Sequence, residues 1–343
     1  MKKICIIKLG ALGDVIRTLP ILDGINEKYP DSEITWITKE NAVDLLANNP
    51  AIDRVFSLNN CDEISDEKFD FLYNFDTQEE ATSLAIGIKA DKKYGFCSEG
   101  DYFSSFNIGS EYYLNTIFDD ELKKNNKKTY QEMMFMSAEL PYKKQHSALF
   151  PTEEDKKYAE NFIKENKINR QNLIGIHIGA DSRWPSKIWH EENLKEFIRK
   201  SASIGYEILV LGGSNESNKL NELEKEMLIR KIKVHKNNSE NSHMQFASIV
   251  NLCKVLVCSD SFALHVSLAM KKPTIGLFFC TPPDEVEDYG LLKKIISPRI
   301  YDFFPQKMDQ YDENLVKSIS AEDVLNTILT LENATNKNLP KII

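Results

Sequence analysis

Short runs of apolar residues alternate along most of the chain with segments whose apolar residues recur at helical spacing. The first run, Ile4 to Ile7, is typical of a strand that is buried on both faces of a parallel sheet. A glycine-containing turn follows, and then Asp14 to Lys28 shows helical spacing, with Pro20 at a kink or at the end of a short first segment. This strand–turn–helix order predicts a doubly wound α/β sheet.

The same alternation continues to about residue 140 and begins again after a polar stretch bounded by Pro141 and Pro151. It predicts two Rossmann-like parallel-sheet domains, 1–150 and 151–320, that face a central cleft, which is the natural place for a ligand. Residues 321–343 are expected to form a C-terminal helix and tail, a candidate to cross back to the first domain. Strands are predicted over 34–37, 54–58, 69–75, 94–97, 173–178, 207–211, 232–234, 255–258 and 274–278, and 102–126 only as a loop region.

Charge and hydropathy limit the kinds of partner that the protein can have. The 343 residues include 43 basic and 52 acidic ones, and this net charge of −9 argues against general binding to nucleic-acid phosphates. No apolar run approaches the roughly 18 residues that span a bilayer, and the basic N-terminus leads directly into a strand instead of a signal peptide. The sequence therefore predicts a cytoplasmic location.

Cysteine and histidine spacing gives no sign of a metal centre. The chain has 6 cysteines and 6 histidines, which are dispersed without paired spacing. Several cysteines lie inside apolar strand-like runs, where buried reduced thiols are expected. We therefore predict no metal ligands.

The turn after the first strand contains the first candidate for chemistry. Gly10 and Gly13 allow the backbone to approach a ligand closely, and Asp14 presents a carboxylate at the end of a strand, where ligands bind in open α/β sheets. The alternative is that Asp14 merely caps the following helix. A dinucleotide-binding fingerprint is disfavoured, because Lys8 stands where its first glycine belongs.

Three further turns after predicted strands of the second half contain candidate binding residues. Gly179 turns the chain ahead of Lys187, a lysine that could neutralise a diphosphate or simply be solvated. Asp260 and Ser261 lie where a strand gives way to a helix, so they could bind a ligand or act only as caps. The remaining candidates are His265, which could equally be a core histidine, and Gly212 in the turn LGGSN.

These stretches together resemble glycosyltransferase family 9, the ADP-heptose:lipopolysaccharide heptosyltransferases of the GT-B fold. The resemblance rests on four motifs in the right order, KLGALGDVIRTLPIL, HIGADSRWPSKIW, LVLGGSNE and VLVCSDSFALHVSLAMKKPTIGLF. It covers nearly the whole chain. It implies transfer of heptose from an ADP-heptose donor to a lipopolysaccharide core acceptor, by an inverting displacement without metal or other cofactor.

The resemblance also implies roles for individual residues. Asp14 would be the catalytic base that deprotonates the acceptor hydroxyl. Lys187 would contact the donor diphosphate, and Asp260 would hold the heptose hydroxyls. The other implied donor residues are Ser261, His265, Gly179 and Gly212, and those on the acceptor side are Lys8, Gly13 and Arg17. A lipid-linked acceptor implies work at the inner face of the cytoplasmic membrane, with transient peripheral contact.

Two positions depart from the family pattern and keep alternatives open. Phe262 replaces a glycine in the D-T-G-P motif, and Phe279 replaces a glycine in F-G-P-T-D-P. A bulky side chain restricts close approach of the backbone to a diphosphate. Another nucleotide sugar, a capsular glycan or protein acceptor, and a catalytically silent sugar-nucleotide-binding relative remain as alternatives.

Overall fold

The first apolar run forms the strand at the centre of a six-stranded sheet, as expected from its complete burial. This computed structural model describes residues 1–100 and 102–337. The chain divides into two units, the first comprising Met1–Thr152 with Asp284–Tyr289 and the second comprising Glu153–Pro283 with Gly290–Ile343. Each unit is built around one sheet.

The sheet of the first unit has the strand order β3-β2-β1-β4-β5-β6. Strands β1 to β5 are parallel, and β6 pairs antiparallel with β5 at one edge. The strands are β1 (Lys2–Ile7), β2 (Ser32–Thr38), β3 (Arg54–Ser57), β4 (Lys68–Asn74), β5 (Lys89–Glu99) and β6 (Tyr102–Ser105). The helices are α1 (Leu12–Thr18), α2 (Ile21–Lys28), α3 (Val43–Leu46), α4 (Glu79–Gly87), α5 (Glu111–Phe118), α6 (Asp120–Asn125) and α7 (Tyr130–Ser137).

The sheet of the second unit repeats this order, β12-β11-β10-β7-β8-β9, with every neighbouring pair parallel. Its strands are β7 (Leu173–His177), β8 (Glu207–Leu211), β9 (Val234–Lys236), β10 (Val255–Ser259), β11 (Thr274–Phe278) and β12 (Leu292–Ile296). The helices are α8 (Glu153–Asn166), α9 (Glu191–Ser203), α10 (Ser217–Ile229), α11 (His243–Val250), α12 (Phe262–Ala269), α13 (Ile300–Phe303), α14 (Glu313–Lys317) and α15 (Ala321–Lys337). The prediction of two Rossmann-like parallel-sheet domains is therefore confirmed.

The region 102–126, predicted only as a loop, contains β6, α5 and α6. The apolar pattern of this region does not follow burial, because some of its aromatic residues are exposed: Tyr102 is 80% and Phe118 64% exposed. The edge strand β12 was also missed, because Lys293 and Lys294 interrupt its apolar pattern. Edge strands tolerate such polar residues because one side of them is open.

The segment Asp284–Tyr289, which the sequence places in the second domain, belongs to the first unit. Polar side chains hold it there. Lys127 donates to Asp284 at 2.7 Å, and Tyr142 donates to Glu287 at 2.6 Å. The ring of Tyr289 packs against that of His146, with 4.1 Å between the ring centroids.

The last helix packs within the second unit. Val324 and Ile328 on α15 are buried in the same apolar cluster as Phe197 on α9. Residues 338–343 of the expected tail lie outside the described part of the chain. Among the described residues, no helix combines the length and the apolar character that crossing a bilayer requires.

All six cysteines are buried and unpaired, as the sequence predicts. Burial raises the pKa of the Cys253 thiol to about 12, although Lys272 and Arg170 act in the opposite direction. In the part of the chain that the structure describes, no three histidine, cysteine or acidic side chains come together as a metal-binding group.

Candidate active site

In each unit most of the candidate residues lie near the point where the strand order reverses. In the first unit β2 and β3 lie on one side of β1 and β4, β5 and β6 on the other, so the reversal falls between β1 and β4. In the second unit it falls between β7 and β10. Open α/β sheets bind ligands just beyond the carboxyl ends of such strands.

Asp14 lies in the first turn of α1, with one third of its side chain exposed. The N-cap residue of this helix is Ala11, whose side chain makes no capping hydrogen bond. Asp14 is therefore not the N-cap residue that the alternative interpretation required. A carboxylate in a first turn is still favoured by the helix dipole.

Arg17 faces Asp14 from the next turn of the helix. Its Nη2 lies 3.0 Å from Oδ1 of Asp14, and its guanidinium carbon lies 3.8 Å from the centre of the Tyr130 ring. The Nε atom of Arg17 is buried and has no hydrogen-bond partner among the described residues. Burial opposes the charge of Arg17, but Asp14 and neighbouring groups outweigh it and raise its pKa.

Tyr130 packs against the guanidinium of Arg17. It is not among the residues that the sequence identified. It is fully buried on α7, and its hydroxyl lies 3.1 Å from Oγ1 of Thr18, which donates to the carbonyl of Asp14 at 2.7 Å. Burial raises the pKa of Tyr130, so its ring is neutral near pH 7. More than a hundred residues of sequence separate it from α1, and no local pattern could reveal the contact.

Lys8 and Gly13, predicted on the acceptor side, are both buried. Lys8 is 5% exposed, and its Nζ donates to the carbonyl of Phe75 at 3.0 Å and lies 3.4 Å from Oδ2 of Asp76. Burial opposes the charge of Lys8, but Tyr130, Asp76 and Asp14 outweigh it and raise its pKa. Gly13 lies within the first turn of α1 and contributes backbone only.

In the second unit, the structure brings Lys187 and Asp260 together. Lys187 ends a short 3₁₀ turn, Pro185–Lys187, and Asp260 directly follows β10. Nζ of Lys187 lies 3.2 Å from Oδ2 of Asp260, and their side chains are 15% and 16% exposed. Ser259 also donates a hydrogen bond to the carbonyl of Lys187. The lysine is therefore a fixed partner and not a freely solvated side chain.

His265 and Ser261 complete this cluster. Nε2 of His265 lies 3.8 Å from Oδ1 of Asp260, and His265 is 8% exposed. Ser261 is the N-cap residue of α12, but its hydroxyl makes no capping bond. It lies instead 3.4 Å from Nδ1 of His177. The hydroxyl is thus held beside the first, unsatisfied amide groups of α12.

His177 was not singled out from the sequence, although it begins the motif HIGADSRWPSKIW. It ends β7, next to the reversal point. Burial lowers the pKa of His177 to about 4, although a backbone contact at Gly179 acts in the opposite direction. His177 is therefore neutral at physiological pH.

Gly179 and Gly212 both lie against Glu216. A Cβ atom placed on either glycine would come within 2.8 Å of the Glu216 side chain. The Gly212 backbone is also fixed by Asn237, which accepts from its N–H and donates to its carbonyl, each at 3.0 Å. These two loops therefore need glycine for their own close packing.

The two phenylalanines that depart from the family pattern have different surroundings. Phe279 is 1% exposed and belongs to the apolar core of the second unit. Phe262 is half-buried and stacks on Phe246, with ring centroids 5.8 Å apart. Trp189 is also a packing residue, since its indole N–H donates to the carbonyl of Ile319 at 2.9 Å. Of these three aromatic residues, Phe262 alone is partly exposed, and it lies at the start of α12.

Comparisons with known proteins point in one direction. The model of glycosyltransferase family 9 (heptosyltransferase) matches residues 60–313. The chain is 25% identical, over 89% of its length and 86% of the other protein, to lipopolysaccharide core heptosyltransferase OpsX from Haemophilus influenzae. It is 22% identical to lipopolysaccharide heptosyltransferase 1 from Campylobacter coli, over 96% and 98% of the two chains.

Solved structures show the same fold. A family 9 glycosyltransferase from Veillonella parvula matches with a TM-score of 0.79 at 21% identity, over 96% of this chain and 97% of that one. ADP-heptose lipopolysaccharide heptosyltransferase II from Escherichia coli matches with a TM-score of 0.71 at 17% identity, over 96% and 99%. The predicted GT-B fold class is confirmed by these matches.

Proposed function

Because the chain belongs to glycosyltransferase family 9, we propose that it transfers a heptose from ADP-heptose to a lipopolysaccharide core acceptor with inversion at the anomeric carbon. The observation that carries the proposal is the partly exposed carboxylate of Asp14 at the strand-order reversal of the first unit. Two relatives that match most of the chain are named as lipopolysaccharide heptosyltransferases.

We assign Asp14 as the general base. It would accept the proton of the acceptor hydroxyl as that oxygen attacks the anomeric carbon and the bond to the diphosphate breaks. Arg17, Lys8 and Gly13 form its surroundings on the acceptor side. The guanidinium of Arg17, whose side chain is 15% exposed, is suited to an anionic group of the acceptor.

We assign donor binding to the cluster of the second unit. Lys187 and the first amide groups of α12 would stabilise the negative charge that develops on the leaving diphosphate, and we propose that they do so without a metal ion. The hydroxyl of Ser261 would donate to the same phosphates. Asp260 would accept hydrogen bonds from heptose hydroxyls, with His265 beside it, and the tight loops at Gly179 and Gly212 would lie against the nucleotide.

Because the proposed acceptor is lipid-linked, we infer that the enzyme works at the inner face of the cytoplasmic membrane and contacts that membrane transiently.

The decisive experiment measures heptose transfer by the parent, Asp14→Asn and Asp23→Asn enzymes. Loss of a general base reduces kcat by about 100- to 10,000-fold, so the Asp14 variant should lose activity by that factor. Its ADP-heptose affinity, measured by calorimetry, should stay within about twofold of the parent, because the assigned donor residues are untouched. Asp23 is an exposed aspartate on α2 and serves as the matched control. Parental activity in the Asp14 variant would refute the assignment.

A different donor is the second candidate, and the position of Phe262 favours it. A partly open aromatic ring at the start of α12 alters the space available to the donor. Calorimetry with ADP-heptose, GDP-sugars and UDP-sugars separates the two candidates. Binding of a uridine donor alone would exclude heptose transfer from ADP-heptose, and absence of transfer from every sugar tested would favour the silent relative.

A further inference from the structure

Asp76 is a buried carboxylate in the loop that follows β4, and neither its charge nor its position is used in the proposed reaction. It is 3% exposed. Its Oδ2 atom accepts hydrogen bonds from the backbone N–H groups of Leu9 at 3.0 Å and Gly10 at 2.5 Å. Its Oδ1 atom accepts from the N–H of Gln78 at 3.0 Å. One carboxylate thus joins the loops that leave the two central strands of the sheet.

Lys8 supplies the positive charge that this buried carboxylate needs. Its Nζ lies 3.4 Å from Oδ2 of Asp76 and donates to the carbonyl of Phe75, the residue before Asp76. A buried charge is costly unless it is paired and hydrogen-bonded. Because its side chain is only 6% exposed, Lys8 has little surface left for a substrate.

Gly10 shows how tightly the two loops approach. A Cβ atom at this position would lie 2.8 Å from Oδ2 of Asp76 and 3.1 Å from Nζ of Lys8. Helix α1 begins two residues later, and the N–H of Asp14 donates to the carbonyl of Ala11 at 2.7 Å. The backbone that Asp76 holds therefore leads directly into the turn that presents Asp14.

From these contacts we infer that Asp76 is a positioning residue for Asp14, and that Lys8 acts by pairing with Asp76 and not by binding the acceptor. This inference rests on the proposed function, since it assigns the support of the proposed base. It changes the role that the family resemblance implies for Lys8.

The pair also sets the electrostatic surroundings of the base. The groups that act electrostatically together with Asp14 include Lys8, Arg17, Tyr113 and Tyr130. Burial raises the pKa of both tyrosines, so they are neutral near pH 7, and Lys8 and Arg17 are the charged members of this group. Removing the charge of Lys8 disfavours an ionised carboxylate nearby, whereas removing the charge of Asp76 leaves Lys8 uncompensated and favours it.

The test compares kcat, acceptor KM and the pH profile of kcat for the parent, Asp76→Asn and Lys8→Met enzymes. We expect kcat to fall by about 10- to 100-fold in both variants, as for a misplaced catalytic group, while acceptor KM stays within about twofold. The acidic limb of kcat should move to higher pH in the lysine variant and to lower pH in the aspartate variant. A purely structural role would leave the acidic limb of kcat unchanged in both variants.

Two results would overturn the inference. One is a Lys8→Met enzyme with parental kcat and a raised acceptor KM, which would place Lys8 on the acceptor. The other is an Asp76→Asn enzyme with the parental kcat and acidic limb. If either variant fails to fold, Gly10→Ala tests the same contact, because it crowds Asp76 without changing a charge and should lower kcat with an unmoved limb. A parental rate in Gly10→Ala would also overturn it.

The Asp14→Asn enzyme, measured in the same series, separates this inference from the proposed function. Parental activity there removes the base itself. Loss of activity there, with parental kinetics in the Asp76 variant, removes only the positioning role.

Discussion

The guanidinium of Arg17 lies 3.0 Å from the carboxylate of Asp14, one helical turn away on the same face of α1. The proposed base is therefore ion-paired in the protein without substrate. An anionic acceptor that binds Arg17 would compete for this contact and leave the carboxylate more available for a proton. Under the proposed mechanism, the pairing would give the acceptor a direct influence on the carboxylate that activates it.

Arg17→Met should weaken acceptor binding and shift the pH dependence of the reaction. We expect acceptor KM to rise by about 10-fold or more, the loss typical of one hydrogen bond to a charged group. The acidic limb of kcat/KM should move to higher pH, because in the free enzyme a cation beside a carboxylate favours its ionised form. Steady-state kinetics across the pH range measure both, with Arg230→Met, an exposed arginine of the second unit, as the control. An unchanged KM together with an unchanged limb would contradict this role.

Substitutions at Lys187 and Asp260 should affect binding of the nucleotide and binding of the sugar differently. Lys187→Met is expected to weaken ADP binding by about 10- to 100-fold, since it would remove the proposed charged contact to phosphate. Asp260→Asn removes a negative charge near the phosphates, so it should bind ADP at least as tightly as the parent. The same variant should bind ADP-heptose less well than the parent, because it would lose the proposed hydrogen bonds to the sugar hydroxyls.

Calorimetry with ADP and ADP-heptose measures both affinities for each variant. Lys164→Met, at an exposed lysine on α8, provides the matched control. Equal losses of ADP and ADP-heptose affinity in the Asp260 variant would exclude a sugar-specific role for that carboxylate.

His177 should make stability depend on pH. Burial lowers its pKa from 6.5 to about 4 in the folded chain, so between these values the unfolded state binds the extra proton. Its contribution is therefore fully present above about pH 6.5 and is lost as the pH falls towards 4. The shift corresponds to at most about 3 kcal/mol of unfolding free energy.

Chemical denaturation at pH 7, 6 and 5 checks this expectation. The free energy of unfolding of the parent should fall more steeply with decreasing pH than that of His177→Asn. His235, whose pKa burial also lowers, is retained in both proteins and cancels from the comparison. Parallel slopes for parent and variant would show that His177 does not titrate between the folded and unfolded states as expected.

Local pattern was sufficient to predict the strands that carry the candidate residues. Apart from the exposed Lys2 and Lys3 at the start of β1, all residues of the central strands β1 and β10 are buried. Such apolar runs are visible in the sequence. The turn residues that follow them, among them Asp14 and Asp260, could be identified for the same reason. Both lie where a strand gives way to a helix.

The partners of those residues could not be predicted, because they come from distant parts of the chain. Asp76 reaches Gly10 across 66 residues, and Tyr130 reaches Thr18 across 112. Neither contact has a local signature. Phe279 gives the opposite lesson, since its sequence position suggested a ligand-facing loop and its burial shows a core residue.

The short segment Asp284–Tyr289 has a consequence for any attempt to exchange or dissect the two halves. A fragment that stops at Thr152 lacks the partners of Lys127 and Tyr142, and the complementary fragment retains a stretch that belongs elsewhere. A protease nick between Thr152 and Glu153 should therefore leave the pieces associated through this stretch. A chimaera between relatives must carry it together with the N-terminal half.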